Sequence, residues 1–177
     1  MNLRIRFAIA LAALLPALAG GQATGEYQVK AACLFNFAKF VEWPAQTFKS
    51  PADSMSICIL GPNPFGRSLD DAVDGKTIDG RKFVVRQVAE IEQAGGCQIL
   101  FIALRPKKRA PGAPPAMAGV LTVGESDGFA AGGGVIGFKL EGGRVRLEVN
   151  LEAAEQARLR ISSKLLSLAR IVKTQGM

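Results

Sequence analysis

Between Tyr27 and Val41 the apolar positions recur at spacings of three and four, through Val29, Cys33, Phe37, Phe40 and Val41. Leu34, Phe35 and Ala38 widen that stripe, so the period predicts a helix with a broad buried face. Trp43-Pro44 ends it, because the residue before a proline is pushed out of the helical region. Downstream the pattern shortens to runs of strand length. Residues 56–60, 82–88, 98–103 and 120–123 predict strands, and 135–140 with 145–149 predict a hairpin across Glu141-Gly142-Gly143-Arg144. Helical segments are predicted between them. Asn63-Pro64 opens one that runs to about Ala72, and 91–94 gives a short turn. Asn150 caps another over 152–158, and Ser162-Ser163 starts a last one through about Lys173. Residues 20–26 read as a flexible leader. Residues 105–118, with four basic side chains followed by a run of prolines, read as an exposed loop. Strands alternating with helices predict a three-layer α/β/α domain whose sheet is mostly parallel, with an antiparallel hairpin at one edge.

The start of the chain sets where this domain works. Arg4 and Arg6 precede an apolar run from Phe7 to Leu18, too short to span a bilayer as a helix. Ala17-Leu18-Ala19 supplies the small residues of a cleavage site, with Gly21-Gln22-Ala23 as a second one. Residues 1–19, or as far as 23, are therefore expected to be a removable export signal, and the mature chain is expected in a bacterial periplasm. An uncleaved anchor is the competing reading; Pro16 and the lack of a longer apolar continuation weigh against it. No cysteine comes after the small residues, which speaks against a lipid anchor.

Removing 1–19 takes away Arg4 and Arg6 and lowers the formal charge from +7 to +5 over 158 residues. A balance of that size favours an acidic partner surface or an anionic membrane face. No dense basic stripe interleaved with aromatics is present, so no nucleic-acid partner is expected.

Histidine is absent, which excludes Ser-His and Cys-His catalytic pairs and histidine-based zinc sites. The three cysteines stand too far apart in sequence for thiolate metal knuckles. Cys58 falls inside the first predicted strand and Cys97 just before the third. Should those strands be neighbours, the two thiols can meet in a disulfide, the usual fate of a cysteine pair in an oxidising compartment. Otherwise they are two separately buried thiols. Cys33, on the helical stripe, reads as a buried free thiol.

Other fragments of motifs dissolve on inspection. Asp74-Gly75-Lys76-Thr77 has the tail of a phosphate-binding loop, but Asp70 stands where the first glycine is required. Gly132-Gly133-Gly134 leads into a strand and reads as a tight connection. Asp70, Asp71 and Asp74 read as a solvated face, and the serines of Ser162-Ser163-Lys164 as helix caps. No catalytic constellation emerges, and neither cofactor nor metal is expected.

Several stretches together resemble the YfiR family, the DUF4154 domain of bacterial periplasmic proteins. They are Glu26-Tyr27-Gln28-Val29-Lys30-Ala31-Ala32 with Leu34-Phe35-Asn36-Phe37-Ala38-Lys39-Phe40-Val41-Glu42-Trp43-Pro44; Ile57-Cys58-Ile59-Leu60-Gly61 with Pro64-Phe65-Gly66; Cys97-Gln98-Ile99-Leu100-Phe101-Ile102; Leu121-Thr122-Val123-Gly124; and Arg144-Val145-Arg146-Leu147-Glu148-Val149-Asn150-Leu151 with Ile161-Ser162-Ser163-Lys164-Leu165-Leu166. The resemblance spans residues 26–173 as one domain. It implies an α/β fold and a regulatory rather than catalytic task, whose type member restrains an inner-membrane diguanylate cyclase through that enzyme's periplasmic part. By position Cys58 and Cys97 match the family's disulfide pair, and the hairpin around Ile136 and Glu148 matches a surface implicated in partner contact. Two departures stand out. Cys33 occupies a position where the family usually has phenylalanine, and the second cysteine pair of some members, near 129–138, is missing.

The leading expectation is a periplasmic, non-enzymatic regulator that binds the sensor part of a membrane signalling protein, a diguanylate cyclase by analogy. It leaves room for a homodimer. The alternative is a small-ligand-binding module that uses the crevice at the carboxyl ends of the parallel strands. An exported hydrolase is a third reading, which the histidine-free sequence disfavours.

Overall fold

The structure, a computed structural model, describes residues 20–103 and 116–175. The expected export signal at 1–19 and most of the basic, proline-rich loop lie outside the described residues. In chain order the elements are α1 (Gly20–Phe40), β1 (Val41–Glu42), a 3-10 turn (Ala45–Thr47), β2 (Met55–Leu60), α2 (Ser68–Val73), β3 (Thr77–Ile78) and β4 (Arg81–Val88). Next come a second 3-10 turn (Ile91–Ala94), β5 (Ile99–Ile102), β6 (Leu121–Gly124), β7 (Ile136–Glu141) and β8 (Arg144–Asn150). The chain then runs through α3 (Leu151–Gln156), β9 (Arg160–Ile161), α4 (Ser163–Leu166) and β10 (Ala169–Val172).

Eight strands make one sheet in the order β10-β8-β7-β6-β5-β2-β4-β3, while β1 and β9 form a separate antiparallel pair. Pairing is parallel from β4 through β2, β5 and β6 to β7, and again between β8 and β10. It is antiparallel only in the hairpins β7–β8 and β3–β4. All six residues of β2 are buried, as expected of a central strand covered on both faces. Because side chains alternate along a strand, Ile57 and Ile59 enter the main core with Leu34 and Phe37 of α1. Cys58 and Leu60 point to the opposite face. The two outer layers are unequal. α1 to α4 all contribute buried side chains on the first face, whereas the second is covered by the Ile91–Ala94 turn and the segment around Met117 and Val120.

Four expectations need correction. Residues 20–26 are not a leader: α1 begins at Gly20. The buried stripe of α1 is rotated relative to the predicted one, running through Lys30, Ala31, Leu34, Phe37 and Ala38 and on to Val41 of β1, with Val29 exposed. α2 starts at Ser68 rather than at Pro64, because the Asn63 side chain accepts a hydrogen bond from the Phe65 N–H and closes a turn instead. The last helix stops after Leu166. The chain continues into β10, which pairs in parallel with β8, so the β7–β8 hairpin lies one strand in from the edge.

Candidate functional site

Cys58 and Cys97 are joined in a disulfide with their Cα atoms 5.9 Å apart. Strand register explains the meeting. Cys58 lies opposite Leu100 of β5 on one side and Arg86 of β4 on the other, and Cys97 enters β5 two residues before its first paired position. Both sulfurs are buried among Leu60, Val88, Ala94, Leu100 and Val120. The Arg86 guanidinium donates to the Gln93 carbonyl at 3.3 Å and lies 3.9 Å from the Cys97 Sγ, capping the bond from the β4 side. The crosslink therefore fastens the thin second layer to the centre of the sheet. Cys33 is half-buried with no disulfide partner, and burial pushes its thiol pKa up, away from the reactive thiolate.

A second feature lies on that same face of the sheet, over β7, β8 and β10. A cleft of about 750 Å³ has Gly137 and Glu148 in its lining, with Ser126 and Asp127 from the loop after β6 and Arg170 and Lys173 from the end of the chain. Glu148 is buried and pairs with Arg170, whose guanidinium also reaches Glu141 at 3.8 Å. Ile136, grouped with Glu148 on the expected partner surface, is fully buried in the main core and presents no side chain to solvent. Of those two residues only Glu148 lines the cleft.

Asn150 fixes the shape of this region. Its carbonyl oxygen accepts from the Ala153 N–H and caps α3, as its sequence context predicts. Its amide nitrogen donates to the Ala130 carbonyl at 2.8 Å and to the Thr174 hydroxyl at 2.9 Å. One side chain thus joins the loop after β6 to the tail after β10. Within that loop the Phe129 ring is wedged between Gly124 and Gly134: a Cβ at either glycine would stand 2.4 Å or 2.1 Å from a ring carbon. Of the triple glycine, Gly134 faces that ring, while Gly133 takes a positive φ of 106° that a side chain disfavours.

At the carboxyl end of β6, Lys30 is buried and donates to Glu125 at 2.6 Å and to Glu26 one helical turn earlier. The Tyr27 hydroxyl donates to the same Glu125 carboxylate at 3.1 Å. Burial pulls the Lys30 ammonium toward deprotonation, but its hydrogen bonds to Glu125 and Glu26 outweigh that, and its pKa is raised. Phe65, from the loop after β2, packs edge-on against Phe101 of β5 and Tyr27 of α1, with ring centroids 4.8 and 5.5 Å apart. The first turns of α1 are thereby tied across this end of the sheet, where a ligand crevice would lie in an open α/β fold.

Sequence reading missed the Lys30 cluster because a lone lysine within an apolar stripe gives no hint of a carboxylate 95 positions away. It also missed the Arg170 partnership, having assigned that segment to a helix. Among the described residues no group of three or more metal-ligating side chains could hold an ion, and no helix is long and apolar enough to cross a membrane. A family model described as YfiR/HmsC-like matches residues 27–170 of the chain. No curated protein matches it.

Proposed function

The chain belongs to the YfiR/HmsC-like family, and on that premise we propose that it is a non-enzymatic periplasmic regulator of c-di-GMP signalling. It acts by binding the periplasmic sensor part of an inner-membrane diguanylate cyclase and restraining it. The observation that carries this reading is the extent of the family match, which runs from α1 into β10 and takes in both cysteines of the disulfide. A buried disulfide suits an oxidising compartment, and the apolar, positively charged start of the sequence suits an export signal at 1–19.

The test is direct binding of the purified, oxidised mature chain to the periplasmic segments of diguanylate cyclases from the same genome. Deletion of the gene is measured alongside for its effect on cellular c-di-GMP. One segment is expected to bind, and deletion is expected to raise c-di-GMP. Absence of binding to every segment, with c-di-GMP unchanged, refutes the reading. The cleft over β7, β8 and β10 favours a second reading, a small-ligand module. A large thermal shift with one metabolite, and no protein partner, would select it.

A further inference from the structure

The two ends of the eight-stranded sheet differ. β3 is two residues long and pairs only with Arg81 and Lys82 of β4, so among the described residues the rest of β4 also meets no strand on its outer side. Its Arg81, Lys82 and Arg86, however, are the charged side chains that blunt an edge. β10 is four residues long and pairs only with β8, so among the described residues its outer side meets no strand. It contains no proline, and Ile171 in it is 54% exposed, with Leu168 just before it at 70%. Natural sheets usually blunt such an edge. This one is left long enough, and apolar enough, to pair.

The charges around it choose the occupant. Register places Arg170 beside Glu148, and the β7–β8 pairs Lys139–Arg146 and Glu141–Arg144 lie on that same face. With Lys173 beyond the strand end, five basic side chains share this region with three carboxylates, Glu141, Glu148 and the Asp127 of the cleft. Arg170 engages Glu141 and Glu148, and Lys139 shares Glu141 at 3.4 Å. Arg144, Arg146 and Lys173 are exposed cations with no salt bridge to another described residue. A second copy pairing through β10 would bring two Arg170 side chains together on one face, and like charges at such positions destabilise a sheet.

The geometry points to β10 as a docking edge on which an extended, acidic segment of a partner protein adds as a ninth strand. Main-chain hydrogen bonds to the open side of β10 supply affinity. Apolar residues at alternate positions meet Ile171 on one face, and the intervening Asp or Glu side chains meet Arg170 and its basic neighbours on the other. This rests on the reading of the chain as a binding protein and names the chemistry of its partner.

The test uses the mature, oxidised chain, amide hydrogen exchange, and two short end-blocked peptides that alternate valine with glutamate or valine with lysine. The glutamate peptide is expected to slow exchange at 169–172 by about tenfold or more and to leave β3 and β4 unchanged. The lysine peptide should do neither. Ile171→Lys, at an exposed position, should melt with the parent and lose the protection. The proposal is overturned if β10 exchanges freely with excess glutamate peptide, if both peptides protect equally, or if sedimentation shows a dimer that protects β10 unaided. Capture of a cyclase segment that leaves β10 unprotected would sink the edge but spare the regulatory reading. A protected edge with no cyclase bound would do the reverse.

Discussion

Reducing the Cys58–Cys97 bond isolates the contribution of one covalent link, because the sulfurs stay in place and no cavity opens. The cysteines are 39 positions apart, and loop-closure entropy for a crosslink of that span restricts the unfolded chain by roughly 4 kcal/mol at 25 °C. Replacing both cysteines by alanine would add a cavity cost among Leu60, Ala94 and Leu100, so reduction is the cleaner perturbation. Both sulfurs are buried, and a reductant reaches them only in the denatured chain. The assay is therefore urea unfolding of oxidised protein against protein reduced while unfolded and refolded in reductant. The oxidised form should be more stable by about 4 kcal/mol and melt on the order of 10 °C higher. Its m-value should also be smaller, since a crosslinked unfolded state exposes less surface. Cys33→Ala should leave the difference intact. Coincident urea curves for the two redox states would refute the reasoning, and a difference that vanished with Cys33→Ala would assign it to the wrong thiol.

The packing sets three further outcomes. Gly134→Ala forces its methyl group against a Phe129 ring already backed by Gly124 and should cost about 1–3 kcal/mol in urea unfolding; Gly134→Ala combined with Phe129→Leu should recover part of it, and a parent-like melt for the single variant would contradict the wedge. Lys30→Ala leaves Glu26 and Glu125 facing each other without their cation and should cost about 3 kcal/mol, so a loss within error of zero would show the cluster to be incidental. Burial, and then the Glu125 charge, raises the Tyr27 pKa above 10.0, and Lys30 is raised above 10.5. In each case the folded state holds the proton more tightly, so the stabilisation is complete below the unfolded pKa and is lost as pH climbs through the folded one. Unfolding free energy should fall above about pH 10, and Tyr27→Phe combined with Lys30→Met should flatten that limb.

β2 and the strands from β4 to β8 could be read from the chain because each is a local run of β-branched and aliphatic residues between turn signals; the two-residue β3 was not. The caps Asn150 and Ser162 were equally legible, since each bonds an N–H three residues on. The end of the chain was not. Leu165, Leu166, Leu168, Ala169 and Val172 suit one helical face as well as a short helix with a strand after it. Only the free edge of β8, more than twenty positions earlier in sequence, settles Ala169–Val172 as β10. The same holds for Lys30, whose burial is tolerable only beside Glu125, and for the glycines around Phe129, whose smallness matters only because a ring lies between them. Sequence by itself determined the class of fold and the segments that build it, because hydrophobic period and turn chemistry act over a few residues. Edge pairing, the rotation of α1 and the charge surface of the last strands were decided by tertiary structure, because each depends on partners that chain order does not bring together.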